Sequence, residues 1–403
     1  MALRIIRDNV DPNTIADVAA AVSPRIYGTH MIKHNDAFTY PLTDVLNFEE
    51  GFGVPIYDGE SWRQCLNTDA FTATASSLLD TGTFQIGTDY YIYLCLPGTT
   101  GQPIIMISAN STWPLGQTAD SCRKIGGFHY GVVRRVSSRW IPIDSTGVEF
   151  GSNGIAWGQN VDVGIIPNSI WDLKNKAKVQ LPGMVKVGQR WFTKYICSQD
   201  EVVTKGALDS LDHIIAGTLK SSYGAIPVTG TEGLSGFHFI ELANRMGMEL
   251  PSYQEFLMFA FGNPQGQDSS DDYGWTKTTN TGRQRTGASV DPTTGLYSLS
   301  GVKKYAVSAF NLDDCVGNVL EWCRDFYQRA GTEQNAATAW GWQNQLGANK
   351  GQAYTFGANG IGQIRVGGDW RVGVDAGCRT VALNYYPWSV DANTGCRLAS
   401  DAL

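Results

Sequence analysis

The final stretch from Gly367 to Leu403 constrains this chain most, because it carries a frame of residues chosen for what they do to a backbone. The frame reads Gly367-Gly368-x-Trp370, then Gly377-x-Arg379, then Gly395-x-Arg397. Paired glycines permit close approach or positive φ, and a large aromatic anchors a core. Between the frame positions the residues follow no pattern: Asp369, Arg371, Val372, Gly373, Val374 and Asp375, then Asn384, Tyr385, Tyr386, Trp388, Ser389, Val390, Asp391, Asn393 and Thr394. Such a mixture of aromatic, small and polar groups suits a recognition surface on a fixed scaffold. The competing reading is an ordinary irregular loop whose Tyr and Trp pack as core.

The rest of the composition agrees with a turn-rich β protein: 17% charged residues, with 46 Gly, 12 Trp and 17 Tyr among 403. That length predicts two or three domains at about 150 residues each. A net charge of −7 and a pI near 5.3 supply no electrostatic footprint for nucleic acid. The N-terminus, Met1-Ala-Leu-Arg-Ile-Ile-Arg-Asp8, lacks the apolar core of a signal peptide, and no run of about 18 apolar residues occurs. The expectation is a soluble chain, not inserted in a membrane and made in a cytoplasm. Eight cysteines with no CxxC pair read as mostly buried thiols, a structural disulfide being the lesser reading.

Residues 1–50 show little regular periodicity, and the family resemblance described below implies an N-terminal trimerisation or virion-attachment segment there. From 51 to 165, short apolar runs such as Tyr90–Cys95 and Gly126–Val133 are broken by turn signals, which predicts an all-β, sandwich-like intermediate domain. From 166 to 403 the texture changes. Phe237–Met246 has helical spacing and stops at Gly247; Ser252-x-x-Glu255 is a capping box opening a second helix, apolar nearly all round and so expected to be buried. Residues 263–300 read as a long loop, and short strands are expected at Val319–Cys323, Ile364–Val366, Cys378–Leu383 and Cys396–Ala399. Helices followed by short strands give an α+β domain.

Three separated motifs carry a family resemblance: Leu250-Pro-Ser-Tyr-Gln-Glu-Phe256, then Phe310-Asn-Leu-Asp-Asp-Cys-Val-Gly-Asn-Val-Leu-Glu-Trp322, then Gly367-Gly-Asp-Trp370 with Gly395-Cys-Arg-Leu-Ala399. Together they resemble the formylglycine-generating-enzyme type of C-type lectin fold, here preceded by all-β module(s). Within it the chain is similar to the tropism-determinant family of phage receptor-binding proteins, whose C-terminal region is diversified by a retroelement. The likeness extends to Gly87–Cys95, Arg123–Tyr130 and Ser169–Lys174 and covers roughly residues 80–403; the first 50 or so residues do not match. It implies a variable region at 367–403, with ligand-binding positions Asp369, Arg371, Val372, Gly373, Asp375, Ala382, Asn384, Tyr385, Ser389, Asp391, Asn393 and Thr394. It also implies a tail-fibre tip on a virion, a bacterial surface receptor, other tail-fibre proteins as neighbours, and a homotrimer. A diversified adhesion protein of non-phage origin and a lectin-fold enzyme are the alternatives.

The residues speak against the enzyme. An oxidase of the formylglycine type needs a reactive cysteine pair after the Gly-Gly-x-aromatic motif, because the thiolates bind the metal. Here those positions hold Val372 and Gly377, and the neighbouring Cys378 reads as a buried thiol. Calcium-dependent sugar binding needs a compact set of oxygen ligands, and no Glu-Pro-Asn, Gln-Pro-Asp or Trp-Asn-Asp triplet occurs; the acidic group Asp268, Asp271 and Asp272 reads as a solvated loop. The five histidines are scattered apart from the His30 and His34 pair, and Gly98–Gly101 lacks a phosphate-loop ending. No cofactor or metal is expected. Arg379 and Arg397, each two residues after a glycine, read as structural, and Trp322 and Trp370 as core.

Overall fold

The computed structural model describes residues 3–7, 31–34, 43–50, 53–57, 62–67, 69–96, 103–143, 149, 161–206, 213–263, 275–276, 281–287, 306–329, 341–343, 353–355 and 360–403. Most of the expected 263–300 loop falls outside them, as do His30, Gly98–Gly101 and the acidic group at 268–272. The chain packs into two units: residues 1–131, 163–177 and 403 form one, and residues 132–162 and 178–402 form the other. Strand pairing within the first unit joins residues before 50 to residues after it, and Trp171–Asp172 to Gly126–Gly127.

That first unit holds β1 (Leu3–Arg7), β2 (Ile32–His34), β3 (Val45–Phe48), β4 (Gly53–Tyr57), β5 (Trp62–Asn67), β6 (Phe71–Thr74), β7 (Thr88–Cys95), β8 (Ile104–Ser108), β9 (Cys122–Arg134) but for residues 132–134, β10 (Val161–Ile165) but for residues 161–162, and β11 (Trp171–Asp172). They form two three-stranded sheets, β1-β5-β4 and β2-β3-β6, and a sheet β10-β9-β7-β8 with β11 added to β9. The two apolar runs foreseen from sequence lie in β7 and β9. Tyr90, Ile92 and Leu94, every second residue of β7, enter one buried cluster with Phe48, Ile107 and Phe128, as a period of two requires. The buried carboxylate of Asp172 accepts from the backbone N–H groups of Met31 (2.6 Å) and Ile32 (3.2 Å) and so holds β2 in place.

The second unit holds β12 (Met184–Val187), β13 (Arg190–Thr193), β14 (Ser198–Lys205), β15 (Ile214–Lys220), α1 (Gly236–Arg245), α2 (Tyr253–Phe259), β16 (Leu320–Arg329), β17 (Gly341–Gln343), β18 (Ala353–Thr355), β19 (Gly360–Gly367), β20 (Gly377–Ala382), β21 (Thr394–Cys396) and β22 (Ala399–Asp401). Its main sheet runs β17-β18-β20-β19-β16-β21, beside a β12-β13-β22 sheet and a β14-β15 hairpin. The capping box forms as the sequence predicts: Ser252 Oγ accepts from Glu255 N (3.2 Å), and Ser252 N donates to a Glu255 carboxylate oxygen (2.7 Å). Burial of α2 is one-sided, however. Phe256 and Phe259 are buried, facing β16, β19 and β20, whereas Met258 and Phe261 are exposed.

Arg397, at 0% exposure, ties the C-terminus to the core. Its guanidinium makes a two-point bond to Glu321 (2.9 and 3.0 Å) and donates to the carbonyls of Thr193, Lys194 and Asp313. A planar fork with five donors suits that geometry. Its structural role is as expected, and Trp322 is core; Trp370 is only half-buried, and Arg379 is exposed on β20.

Candidate functional site

Three neighbouring strands build the floor of the site. In the β16-β19-β20 row, Trp322, Arg365 and Ala382 lie side by side. Arg365 is 2% exposed, inside a strand that is otherwise largely apolar. Its Nη1 donates to Asp391 Oδ2 and Thr394 Oγ1 (both 2.9 Å) and its Nη2 to Asn384 Oδ1 (2.9 Å). The guanidinium carbon also sits 3.6 Å from the centroid of the Tyr385 ring. Burial pulls this arginine below its usual value, and Asp391 opposes the shift. A buried cation of this kind survives only when paired and hydrogen-bonded.

Above the floor, the chain leaves β19 through Gly367 and Gly368, turns at residues 373–375, and runs down β20. Gly368 needs to be glycine: its φ is +86°, and a Cβ there would lie 2.7 Å from Ala376 Cα. After β20, residues 383–393 cross back over the sheet before β21 pairs in parallel with β16. The buried Asp369 fastens the two arms together, accepting from Arg371 N (2.9 Å) with one oxygen and from the Asn393 amide with the other. Burial raises its pKa, against the pull of those bonds.

The result is a cavity of 230 Å³ lined by Leu320, Arg365 and eight of the twelve expected positions: Asp369, Arg371, Val372, Ala382, Asn384, Tyr385, Asp391 and Asn393. The other four do not line it. Thr394 is fully buried against Arg365, Gly373 and Asp375 form the short 3-10 turn, and Ser389 closes a turn onto the Tyr386 carbonyl (3.0 Å). Nor is the patternless filling all surface, since Asp369, Gly373, Asn393 and Thr394 are buried. Beside the cavity, Tyr386 and Trp388 stack with ring centroids 4.8 Å apart, and Trp388 stays 56% exposed.

Arg365 is the residue that sequence reasoning missed. The signal was a single arginine in the apolar strand Ile364-Arg365-Val366, one residue before the glycine pair. Two arginines and two aspartates around one small cavity, with an aromatic ring stacked on the deepest of them, can hold a ligand by hydrogen bonds and ring contact. Cys378 takes no part in the cavity: it is 9% exposed, its thiol donates to the Asn263 carbonyl (3.0 Å), and burial pushes its pKa up to about 11.

Residues 46–172 match the family described as the Mtd second domain, and residues 186–402 the family described as the sulfatase-modifying factor enzyme 1-like domain. The "Tail fiber receptor-binding protein" of Bordetella phage BPP-1 is 26% identical over 298 residues, which are 72% of this chain and 63% of that protein. This chain therefore spans less than two thirds of that relative's length. Among solved structures, the Major Tropism Determinant I1 variant gives a TM-score of 0.59 at 22% identity, over 91% of this chain and 83% of that one. The U1 variant gives 0.58 at the same identity and coverage. These likenesses establish the fold: a mostly β chain with a formylglycine-generating-enzyme-like, C-type lectin domain.

Proposed function

The chain belongs to the sulfatase-modifying factor enzyme 1-like domain family, through a match to more than half of its residues, and from that premise we propose that it is a receptor-binding protein rather than an oxidase. In this reading it sits at the tip of a phage tail fibre and grips a bacterial surface molecule with the face around Arg365, without a metal or cofactor. The twelve positions from Asp369 to Thr394 are its variable set, diversified at the gene level. The observation that carries the reading is the gathering of eight of them around one cavity on a fixed frame. The named tail-fibre relative supports the same class of activity. Against oxidase chemistry stand Val372 and Gly377 where the cysteine pair would be, and a Cys378 thiol held protonated by burial.

Loops on a rigid scaffold carry recognition without any reacting group. Modest single-site affinity is multiplied when several copies engage one cell, which favours a homotrimer. The test is adhesion of purified protein to cells of candidate hosts, with and without EDTA, on material sized by light scattering. The expected result is a trimer that binds one host and is indifferent to EDTA. Loss of binding by a folded protein in EDTA would end the metal-free reading, and a particle of the 43.9 kDa chain mass would end the trimer.

A further inference from the structure

Strands β7 and β9 bring together two cysteines that receptor binding does not use. Cys95 ends β7, Cys122 begins β9, and the register sets them directly opposite each other. At the adjacent pair, Leu96 N donates to the Ser121 carbonyl at 2.8 Å. Antiparallel ladders alternate, so Cys95 and Cys122 occupy a pair without ladder hydrogen bonds, where facing Cα atoms come to about 4.5 Å and side chains are nearest. That separation falls within the roughly 4.4–6.8 Å that a disulfide spans. Cys122 Sγ donates to the Thr118 carbonyl at 3.1 Å.

The pair is also divided as an exchange reaction requires. Cys95 is buried, whereas Cys122 is partly exposed and can meet a reagent from solvent. The facing Cys95 thiol lowers the Cys122 pKa, while Cys122 and burial raise that of Cys95. Cys122 is thus the sulfur that ionises first, and the thiolate is the attacking species.

We propose that Cys95 and Cys122 close a cross-strand disulfide when the protein meets an oxidising medium, clamping the end of the β7–β9 ladder. With a small-molecule disulfide such as oxidised glutathione, the Cys122 thiolate attacks one sulfur, forms a mixed disulfide and expels one glutathione thiolate. Cys95, losing its proton to solvent, attacks Cys122 Sγ and expels the second. Two protein thiols are oxidised, one glutathione disulfide is reduced to two thiols, and the two protons released end on the glutathione sulfurs. Cys197 and Cys396 offer an internal contrast: Cys197 N donates to the Cys396 carbonyl at 2.9 Å, so the two residues are neighbours, but both thiols are wholly buried. That pair stays reduced while the fold is intact.

The full chain, purified in reductant and then incubated folded with oxidised glutathione, is denatured, alkylated and mapped without reduction. Six of the eight thiols should take label, with the Cys95 and Cys122 peptides joined, and the thermal midpoint should rise and fall back in dithiothreitol. Cys95→Ser should accumulate one glutathione adduct on Cys122, whereas Cys122→Ser should keep every remaining thiol free. Eight labelled thiols in the oxidised wild type, or a linkage between other cysteines, would overturn the proposal whether or not the variants fold.

Discussion

Arg365 organises the site, and its removal should show it. Truncating one partner of a buried ion pair leaves the other charge uncompensated, at a cost of about 3–5 kcal/mol. Arg365→Ala should therefore lower stability by that order, through the stranded Asp391, whereas the exposed Arg371→Ala should stay within about 0.5 kcal/mol. Urea melts of the two variants separate these outcomes, and equal melts would remove Arg365 from its central place. Asp375 gives a pH signature. Burial raises its carboxyl to about 6 in the folded state. Between roughly pH 4 and 6 the folded state holds the extra proton, so stability falls as pH rises through that window. Asp375→Asn should flatten that fall and leave the protein more stable than wild type at pH 7, as thermal midpoints at pH 4.5 and 7 would register. Of these residues, the sequence displayed the patternless set, because a backbone frame interrupted by unpatterned side chains is visible as text. It hid Arg365, because one charge in an apolar strand reads as noise until the 383–393 crossing brings Asn384, Tyr385 and Asp391 onto it. It also hid the burial of Asp369, Asn393 and Thr394, which follows from how two chain arms fold over each other.

At the scale of elements, local rules predicted what local forces decide. The α2 start was legible because Ser252 and Glu255 satisfy each other's backbone N–H groups within one turn. The two-sided burial expected of α2 was not met, since side-chain hydrophobicity alone does not tell which face the sheet will cover. The aromatic frame splits the same way. Trp322 pairs with Arg365 on one side and Cys396 on the other at 1% exposure, whereas Trp370 is half-buried. Trp322→Ala should cost about 3–5 kcal/mol. Trp370→Ala should cost less, on the order of 1–2 kcal/mol. Calorimetry on both checks the order, and a Trp370 variant that unfolds as readily as the Trp322 one would return Trp370 to the core.

For the molecule as a whole, the lectin-type domain was legible because its motifs are backbone motifs, while the pairing of strands before residue 50 with strands after it was not, because partners distant in sequence carry no local signal. The account's central claim is that fold and specificity are separable: the frame and Arg365 hold the shape, and the residues between Asp369 and Thr394 choose the target. The most direct test leaves Arg365, its partners Asn384, Asp391 and Thr394, and the frame residues Trp370, Gly377 and Arg379 in place, exchanges the other residues of 369–394 for those of a relative with a different host, and measures which cells the purified graft binds. The account predicts that target preference moves with the segment while the thermal midpoint stays near that of the parent. A folded graft that keeps the parent's target would contradict it.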